Sequence, residues 1–478
     1  SSSSPDFGIK GVLDRFSQIE AEVMFAANGY FYNGKIFDSL EKLQEILQSL
    51  PSVKKVVVVE YTEENQPISH IENAVHYSSF LSTHPSKLTF EQLPFDHPLY
   101  IMYSSGTTGL PKSIVHSSGG TLIQHLKELR LHCDLTRDDT IFYFTTCGWM
   151  MWNWLVSSLA VGATLVLYDG SPFYPNKNAM WDMVDKLEIS IFGTSAKYID
   201  ACKEAKVFPK QDANLSSLKT ILSTGSPLVE ESFDYVYSKI KKDVLLASIS
   251  GGTDIISCFA LGNPMLPVIR GELQCRGLGM DIHALDHAQH SLINEKGELA
   301  CKTAFPSMPI YFWNDPDGVK YHNAYFDLFP HIWHHGDFIK ITEDGGVKIF
   351  GRSDSTLNPG GIRIGTAEIY RVVETLDYVD DSLVIGQDWE GDQRIVLFIK
   401  LRNNNESITG DNISEIKSLI KTNCSPRHVP TIILPINDIP YTINGKKVEV
   451  AVKKVIDGEK VTNKDALANT DSLELYKN

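Results

Sequence analysis

Paired cysteines are missing from this chain of 478 residues: its seven cysteines are scattered, odd in number and contain no Cys-x-x-Cys. That pattern argues against a disulfide framework or a structural zinc site, and it points to a reducing cytosol. Positive charge is also scarce. Forty-four Lys and Arg stand against 59 Asp and Glu, a formal net charge of −15, which argues against non-specific binding to nucleic acid or an anionic membrane surface. The first residues, Ser1-Ser-Ser-Ser-Pro-Asp6, lack the basic and then apolar order of a signal peptide. No internal repeat or long low-complexity tract is visible, and the polar stretch after Asp457 reads as loosely ordered.

One uncharged run, 149–168, is long enough to be scored as a membrane span. It contains Asn153, Ser157, Ser158, Gly162 and Thr164, and it divides into a helix-like part through Val161 and a β-rich Ala-Thr-Leu-Val-Leu-Tyr segment. We read it as the core of a buried αβ unit with no membrane span. With 42% hydrophobic and 22% charged residues, the composition is that of a globular protein of two or three domains. Apolar runs at 56–59, 165–168, 220–222 and 244–249 read as buried strands, and helical patterns at 180–187 and 232–240 separate them. This is an α/β layout. After Asp354 a smaller unit begins, with a helix at 366–375, strands at 382–386 and 395–400, a helix at 413–423 and a last helix after Lys446. The expected division is a large domain over 1–354 and a small α+β domain over 355–478.

The segment Tyr103-Ser-Ser-Gly-Thr-Thr-Gly-Leu-Pro-Lys112 carries the strongest chemical signal. Gly106 and Gly109 let backbone N–H groups turn toward an anion, Ser104, Ser105, Thr107 and Thr108 add hydroxyl donors, and Lys112 adds charge. Pro111 precedes the lysine where a Walker loop needs glycine. The alternative is an ordinary Ser/Thr/Gly surface turn.

Four more motifs follow in order: Ser223-Thr-Gly-Ser-Pro227, Ser250-Gly-Gly-Thr-Asp254, His335-Gly-Asp337 with Gly351-Arg-Ser-Asp354, and Pro440-Tyr-Thr-Ile-Asn-Gly-Lys446. From about Phe7 to the C-terminal region, the chain resembles the adenylate-forming superfamily of acyl-CoA synthetases, peptide-synthetase adenylation domains and luciferases. Within it, the segments at 148–154, 250–255 and 440–450 are most similar to the acetoacetyl-CoA synthetase family.

The resemblance implies a small C-terminal domain that is mobile about a hinge at Asp354. It also implies that Lys446 is the catalytic lysine, which reaches the α-phosphate and the carboxylate oxygen. Lys112, Arg363, Lys446 and Mg²⁺ are candidates to neutralise the charge that gathers when a carboxylate attacks ATP. Gly225, Ser226 and Pro227, with Ser250, Gly251, Gly252 and Thr253, match segments whose backbone lines the adenine. Asp337 matches the ribose-binding carboxylate and Arg352 the arginine beside it, although an Asp after Gly is more often a turn or cap residue. His322, His331, His334 and His335 fit no zinc spacing, and no metal bound by protein ligands alone is expected. Asp254 stands where many relatives carry a glutamate that helps to hold Mg²⁺, so that ion is expected mainly on the phosphates of ATP. Gly360 and Gly361 match the channel for the coenzyme A arm.

Related acetyl-CoA synthetases close their acyl pocket with a tryptophan at the position of Gly251. Its absence, with Trp149, Met150 and Met151 as apolar walls, implies room for a longer acid. A small keto acid fits, and a medium-chain acid fits nearly as well. The expected substrates are therefore acetoacetate, ATP and coenzyme A, with oligomeric state left open. Only 102 residues precede Tyr103, which implies that much of the family's first subdomain is absent. A truncated, non-enzymatic paralogue is the rival reading.

Overall fold

Five short strands, rich in β-branched and aromatic residues, pair in parallel in the order Leu245–Ser248, Thr220–Thr224, Ile191–Ser195, Thr140–Tyr143, Thr164–Val166. Ile141, Phe142, Ile191, Phe192, Ile221, Leu222 and Leu246 are buried, as expected of strands covered on both faces. The computed structural model describes residues 1–82, 87–104, 111–353, 355, 357, 359, 364–389, 392–402, 407–424, 426–443, 445–461, 464 and 467–477. The second strand in chain order lies outside the first, so the winding reverses between Thr140–Tyr143 and Ile191–Ser195. In open α/β sheets, ligands bind beyond the carboxyl ends of the strands near such a reversal.

Antiparallel sheets surround this one. Pro98–Ser104 and Lys112–Ser117 form a hairpin with Tyr311–Phe312 at its edge. A five-stranded sheet runs Ser291–Leu292, Ile282–Leu285, Lys296–Cys301, Trp333–Ile341, Val347–Arg352, and Ser250–Gly252 pairs with Ser257–Leu261. Nearer the N-terminus, Val23–Ala27, Lys55–Val59 and Ala74–His76 make a separate parallel sheet. From Leu357 onward the residues build cores of their own, around the long hairpin Val379–Trp389 and Asp392–Leu401 with helices Thr366–Val373, Gly410–Asn423 and Glu449–Ile456.

Most expected elements appear within a few residues of their expected ends. The run at 149–168 becomes helix Met150–Val156, a 3-10 turn Ser157–Ala160 and strand Thr164–Val166, with Trp154 and Leu155 buried. Among the described residues, no helix is long and apolar enough to cross a membrane. The expected helix at 232–240 is α-helical over Glu230–Tyr235 and widens to a π turn over Val236–Ile240.

A second π turn, Glu128–His132, sets one carboxylate in the core. Glu128 Oε2 accepts from Trp154 Nε1 at 2.9 Å, and Oε1 accepts from Ser257 Oγ at 2.5 Å and Cys258 N at 3.1 Å. Burial alone would raise the Glu128 pKa, but Lys127, His125 and these donors hold it below the usual value. The carboxylate thus ties the Met150–Val156 helix to the strand that backs Ser250–Gly252.

His116 is buried on the neighbouring hairpin strand, and its Nε2 donates to the Thr253 carbonyl at 2.9 Å. Burial holds its pKa down to about 4, against the pull of Thr253 and Asp254. An unfolded imidazole, near 6.5, takes a proton that the folded ring refuses. His116 therefore contributes fully above that value, and its contribution falls by roughly 1.4 kcal/mol per pH unit as pH drops toward the folded pKa. Urea-unfolding midpoints measured from neutral to mildly acidic pH check this. The acid loss should be smaller in His116→Asn than in the parent, and equal slopes would show that the ring is not held neutral.

Candidate active site

A cavity of about 770 Å³ opens at the carboxyl ends of the parallel strands. Thr224, Gly225, Ser226 and Pro227 line it where strand Thr220–Thr224 ends, and Ser248 to Thr253 line it where Leu245–Ser248 runs on into Ser250–Gly252. Thr224 Oγ1 donates to the Ile249 carbonyl at 2.8 Å and joins the two walls. Gly225 has φ +94°, a left-handed conformation that a side chain would strain, so its backbone can turn into the cavity. Trp149, Met150 and Met151 form another part of the lining, with both methionines buried and Trp149 edge-on to Tyr143.

Gly251 requires a correction. It lines the cavity, but a Cβ added there would run into the Ser257 carbonyl oxygen and stand 2.7 Å from Cys258 Cα. The missing side chain therefore points into the paired strand and does not open acyl volume. Close strand approach accounts for this glycine. A Cβ on Gly252 would meet the His335 ring at 3.4 Å.

Asp337 and Arg352 face one another in register on strands Trp333–Ile341 and Val347–Arg352. The Arg352 guanidinium lies 3.7 Å from Asp337 Oδ1 and donates to the His335 carbonyl at 3.0 Å. Asp337 is thus a strand residue at the cavity wall and caps no helix. His335, weighed from sequence only as a metal ligand, has a buried ring edge-on to Phe259 with Nε2 3.7 Å from Asp337. Burial lowers its pKa to about 4, so it is neutral near pH 7. Among the described residues, no group of three His, Cys, Asp or Glu could hold a metal ion.

Of the segment read from sequence as phosphate-binding, Ser104 ends one hairpin strand opposite Lys112 at the start of the other. Ser105, Gly106, Thr107 and Thr108 lie outside the described residues, as do Asp354, Gly360, Gly361 and Arg363. Lys112 Nζ stands 2.6 Å from Asp254 Oδ1, which also accepts from Tyr325 Oη at 2.6 Å. Burial alone would raise the Asp254 pKa, but Lys112, His335 and the Tyr325 hydroxyl hold it far below the usual carboxylate range. Tyr325 stacks on Trp333 at 3.7 Å between ring centres. Nothing in the sequence links Tyr325 to Asp254, 71 positions away.

The turn over 441–446 brings Lys446 in from the C-terminal unit. Gly445 has φ +75°, and Lys446 N donates to Thr442 Oγ1 at 3.0 Å. Lys446 keeps accessible surface inside the cavity while protein closes around it. That enclosure lowers its pKa, Asp337 and Asp254 oppose the shift, and Arg352 adds to it. Lys446, Asp337, Arg352 and the 225–227 and 248–253 segments therefore line one cavity, which brings cationic side chains to a single space.

The AMP-binding enzyme family matches residues 3–310 of this chain. The acetoacetyl-CoA synthetase of Danio rerio is 53% identical over 487 residues, covering 100% of this chain and 72% of that protein. The acetoacetyl-coenzyme A synthetase of Rhizobium meliloti (strain 1021) is 54% identical over 478 residues, covering 100% of this chain and 73% of that protein. Among solved structures, acetoacetyl-CoA synthetase from Streptomyces lividans superposes with a TM-score of 0.93 at 43% identity, over 100% of this chain and 73% of its own. An anthranilate CoA ligase in complex with anthranoyl-AMP shares the fold, with a TM-score of 0.75 at 19% identity over 93% of this chain and 79% of its own. The chain belongs to the AMP-binding enzyme family, among the acetoacetyl-CoA synthetases.

Proposed function

We propose that this protein ligates acetoacetate to coenzyme A through an acyl-adenylate, using ATP and releasing AMP and pyrophosphate. One observation carries the reading: Lys446, Asp337, Arg352 and the 225–227 and 250–253 segments line a single cavity with Trp149 and Met150 at its wall. In the first step a carboxylate oxygen bonds to the α-phosphorus as the bond to pyrophosphate breaks. In the second, the thiol of coenzyme A bonds to the acyl carbon and AMP leaves.

Negative charge grows on the α-phosphate oxygens and on the departing pyrophosphate, so fixed cations lower the barrier. Lys446 and Arg363 serve the α-phosphate. Ser104, Ser105, Gly106, Thr107, Thr108 and Lys112 serve the terminal phosphates. Asp337, with Arg352 beside it, holds the ribose hydroxyls, and the backbone of Gly225, Ser226, Pro227, Ser250, Gly251, Gly252 and Thr253 lines the adenine. Asp254, kept ionised, offers a hard oxygen of the kind Mg²⁺ prefers. Mg²⁺ bound with ATP supplies further charge neutralisation. Trp149 and Met150 wall the acyl chain. Gly360 and Gly361 admit the coenzyme A arm, and Asp354 is the hinge between a large domain over 1–354 and a mobile small domain over 355–478. The cytosol suits substrates of this kind and seven free cysteines.

Acid-dependent exchange of labelled pyrophosphate into ATP, run over a panel of short and medium-chain acids, tests the reaction and the acid together. Acetoacetate should drive the fastest exchange; a faster medium-chain acid would reassign the substrate, and no exchange with any acid would remove the ligase reading. Lys446→Ala should slow exchange by on the order of 100-fold while thioester formation from supplied acyl-AMP is largely kept, because the charge serves the first step. Gly251→Ala should lower kcat/KM for acetoacetate and for acetate by similar factors, because the added methyl displaces the Ser257 backbone without filling the acyl pocket. A change of more than about threefold in the ratio of the two acids would return Gly251 to the pocket.

A further inference from the structure

The turn that carries Lys446 takes its shape from its own unit. Tyr441 Oη donates to Asp381 Oδ2 at 2.6 Å, Tyr441 N donates to Asn469 Oδ1 at 2.9 Å, and Thr442 N donates to the Lys446 carbonyl at 2.8 Å. These bonds leave open where the turn sits against the parallel-sheet domain. Two contacts from outside the unit address that. Ile443 packs on the apolar cluster that includes Phe7, Leu40 and Ile71. Lys197 lays its ammonium 3.4 Å from the centre of the Tyr441 ring.

Lys197 is well placed for such a contact. It is the second residue of helix Ala196–Glu204, which begins where strand Ile191–Ser195 ends. Ser195 Oγ accepts from Tyr198 N at 3.2 Å, and Ala196, Tyr198 and Ile199 are buried, so the backbone under Lys197 is fixed by the same sheet that lines the cavity. Its stem runs along the turn: a Cβ on Gly445, the neighbour of Lys446, would lie 3.6 Å from Lys197 Cδ. Enclosure lowers the Lys197 pKa, with Asp381 pulling it back up. Another contact between this helix and the C-terminal unit, Arg402 with Glu204 at 3.5 Å, has side chains 44% and 46% exposed and is the weaker kind.

We propose that Lys197 is a positioning residue for adenylation: its ammonium, seated on the face of Tyr441, holds the 441–447 turn where Lys446 enters the cavity. The proposal rests on the adenylate-forming reading above and gives this role to a lysine that also borders the cavity, so an unchanged KM for ATP is part of its test. A partly enclosed cation on a tyrosine face is worth roughly five- to thirtyfold in an equilibrium.

The test compares the two half-reactions in the full chain. Lys197→Ala should lower the maximal rate of acetoacetate-dependent pyrophosphate exchange by roughly tenfold. KM for ATP and thioester formation from supplied acyl-AMP should stay within about twofold, because a lysine that only positions the turn affects neither. Tyr441→Leu should cause a loss of its own, and adding Lys197→Ala to it should cost little more, since the two changes remove one contact. Unchanged exchange in Lys197→Ala, equal loss of both half-reactions, or fully additive losses in the double variant would each overturn the proposal. Lys446→Ala, assayed alongside, separates the layers. If it too leaves exchange intact, the adenylation reading has failed; if it abolishes exchange while Lys197→Ala does not, only the role of Lys197 has.

Discussion

The ionised carboxylate of Asp254 is the constraint around which the site is arranged. A buried charge left without a partner costs about 3–5 kcal/mol, so the elements around it must supply counter-charge and donors. Lys112 does so from the first position of its hairpin strand, and Tyr325 does so from the helix Val319–Tyr325. Each contact fixes more than itself. Holding Lys112 fixes the start of its hairpin strand opposite Ser104, and holding Tyr325 seats its ring on Trp333, at the head of the strand that carries Asp337. One carboxylate thereby sets the relation between the hairpin that carries Lys112 and the strand that carries Asp337, the two elements proposed to meet the phosphates and the ribose.

The same physics divides the work of two adjacent lysines. Lys447 Nζ lies 2.5 Å from Glu374 Oε1 and 2.8 Å from Asp381 Oδ1. Burial alone would lower its pKa, but these carboxylates hold it well above the usual lysine range. Lys446 turns the other way into the cavity and has its pKa lowered by enclosure. The residue with two carboxylate partners anchors the turn, and its neighbour, held at longer range by Asp337 and Asp254, keeps its charge for an anion. Tyr441 and Lys447 are bridged across the base of the turn, and Asp381 binds both side chains, so anchor and reach share one support.

How much of this the sequence discloses depends on range. The two parallel sheets are legible because continuous apolar runs, 56–59 in one and 220–222 in the other, need cover on both faces, and a strand buried in that way has few alternatives. The antiparallel sheet over 282–352 is much less so. One of its strands, Ser291–Leu292, is two residues long, and the sheet includes polar residues such as Glu298, buried against His334, which break the alternation. Motif residues Asp337, Arg352 and Lys446 are legible because spacing and residue type go together with their chemistry. Tyr325 and Lys197 are not, since their partners lie far along the chain and neither belongs to a pattern. Gly251 marks another limit: a sequence reveals that a side chain is missing but not which way it would have pointed, and here it would have met the backbone of the next strand.

On the proposed motion of the small domain, the lowered pKa of Lys446 also bears on when the turn docks. Bringing an ammonium into an enclosure that disfavours its charge works against docking in an empty cavity. A bound phosphate or carboxylate reverses that penalty, because an anion at short range favours the charged form. Docking of the turn and binding of anionic substrate therefore strengthen one another, and by linkage each favours the other to the same extent. The contacts of Ile443 on its apolar cluster and of Lys197 on Tyr441 act on the docking side of that balance. If they were much stronger, the turn would stay docked after pyrophosphate leaves and delay the thiol step. A single cation on an aromatic face, moderate in strength, suits a contact that forms and breaks between the two half-reactions, as the proposed hinge motion requires.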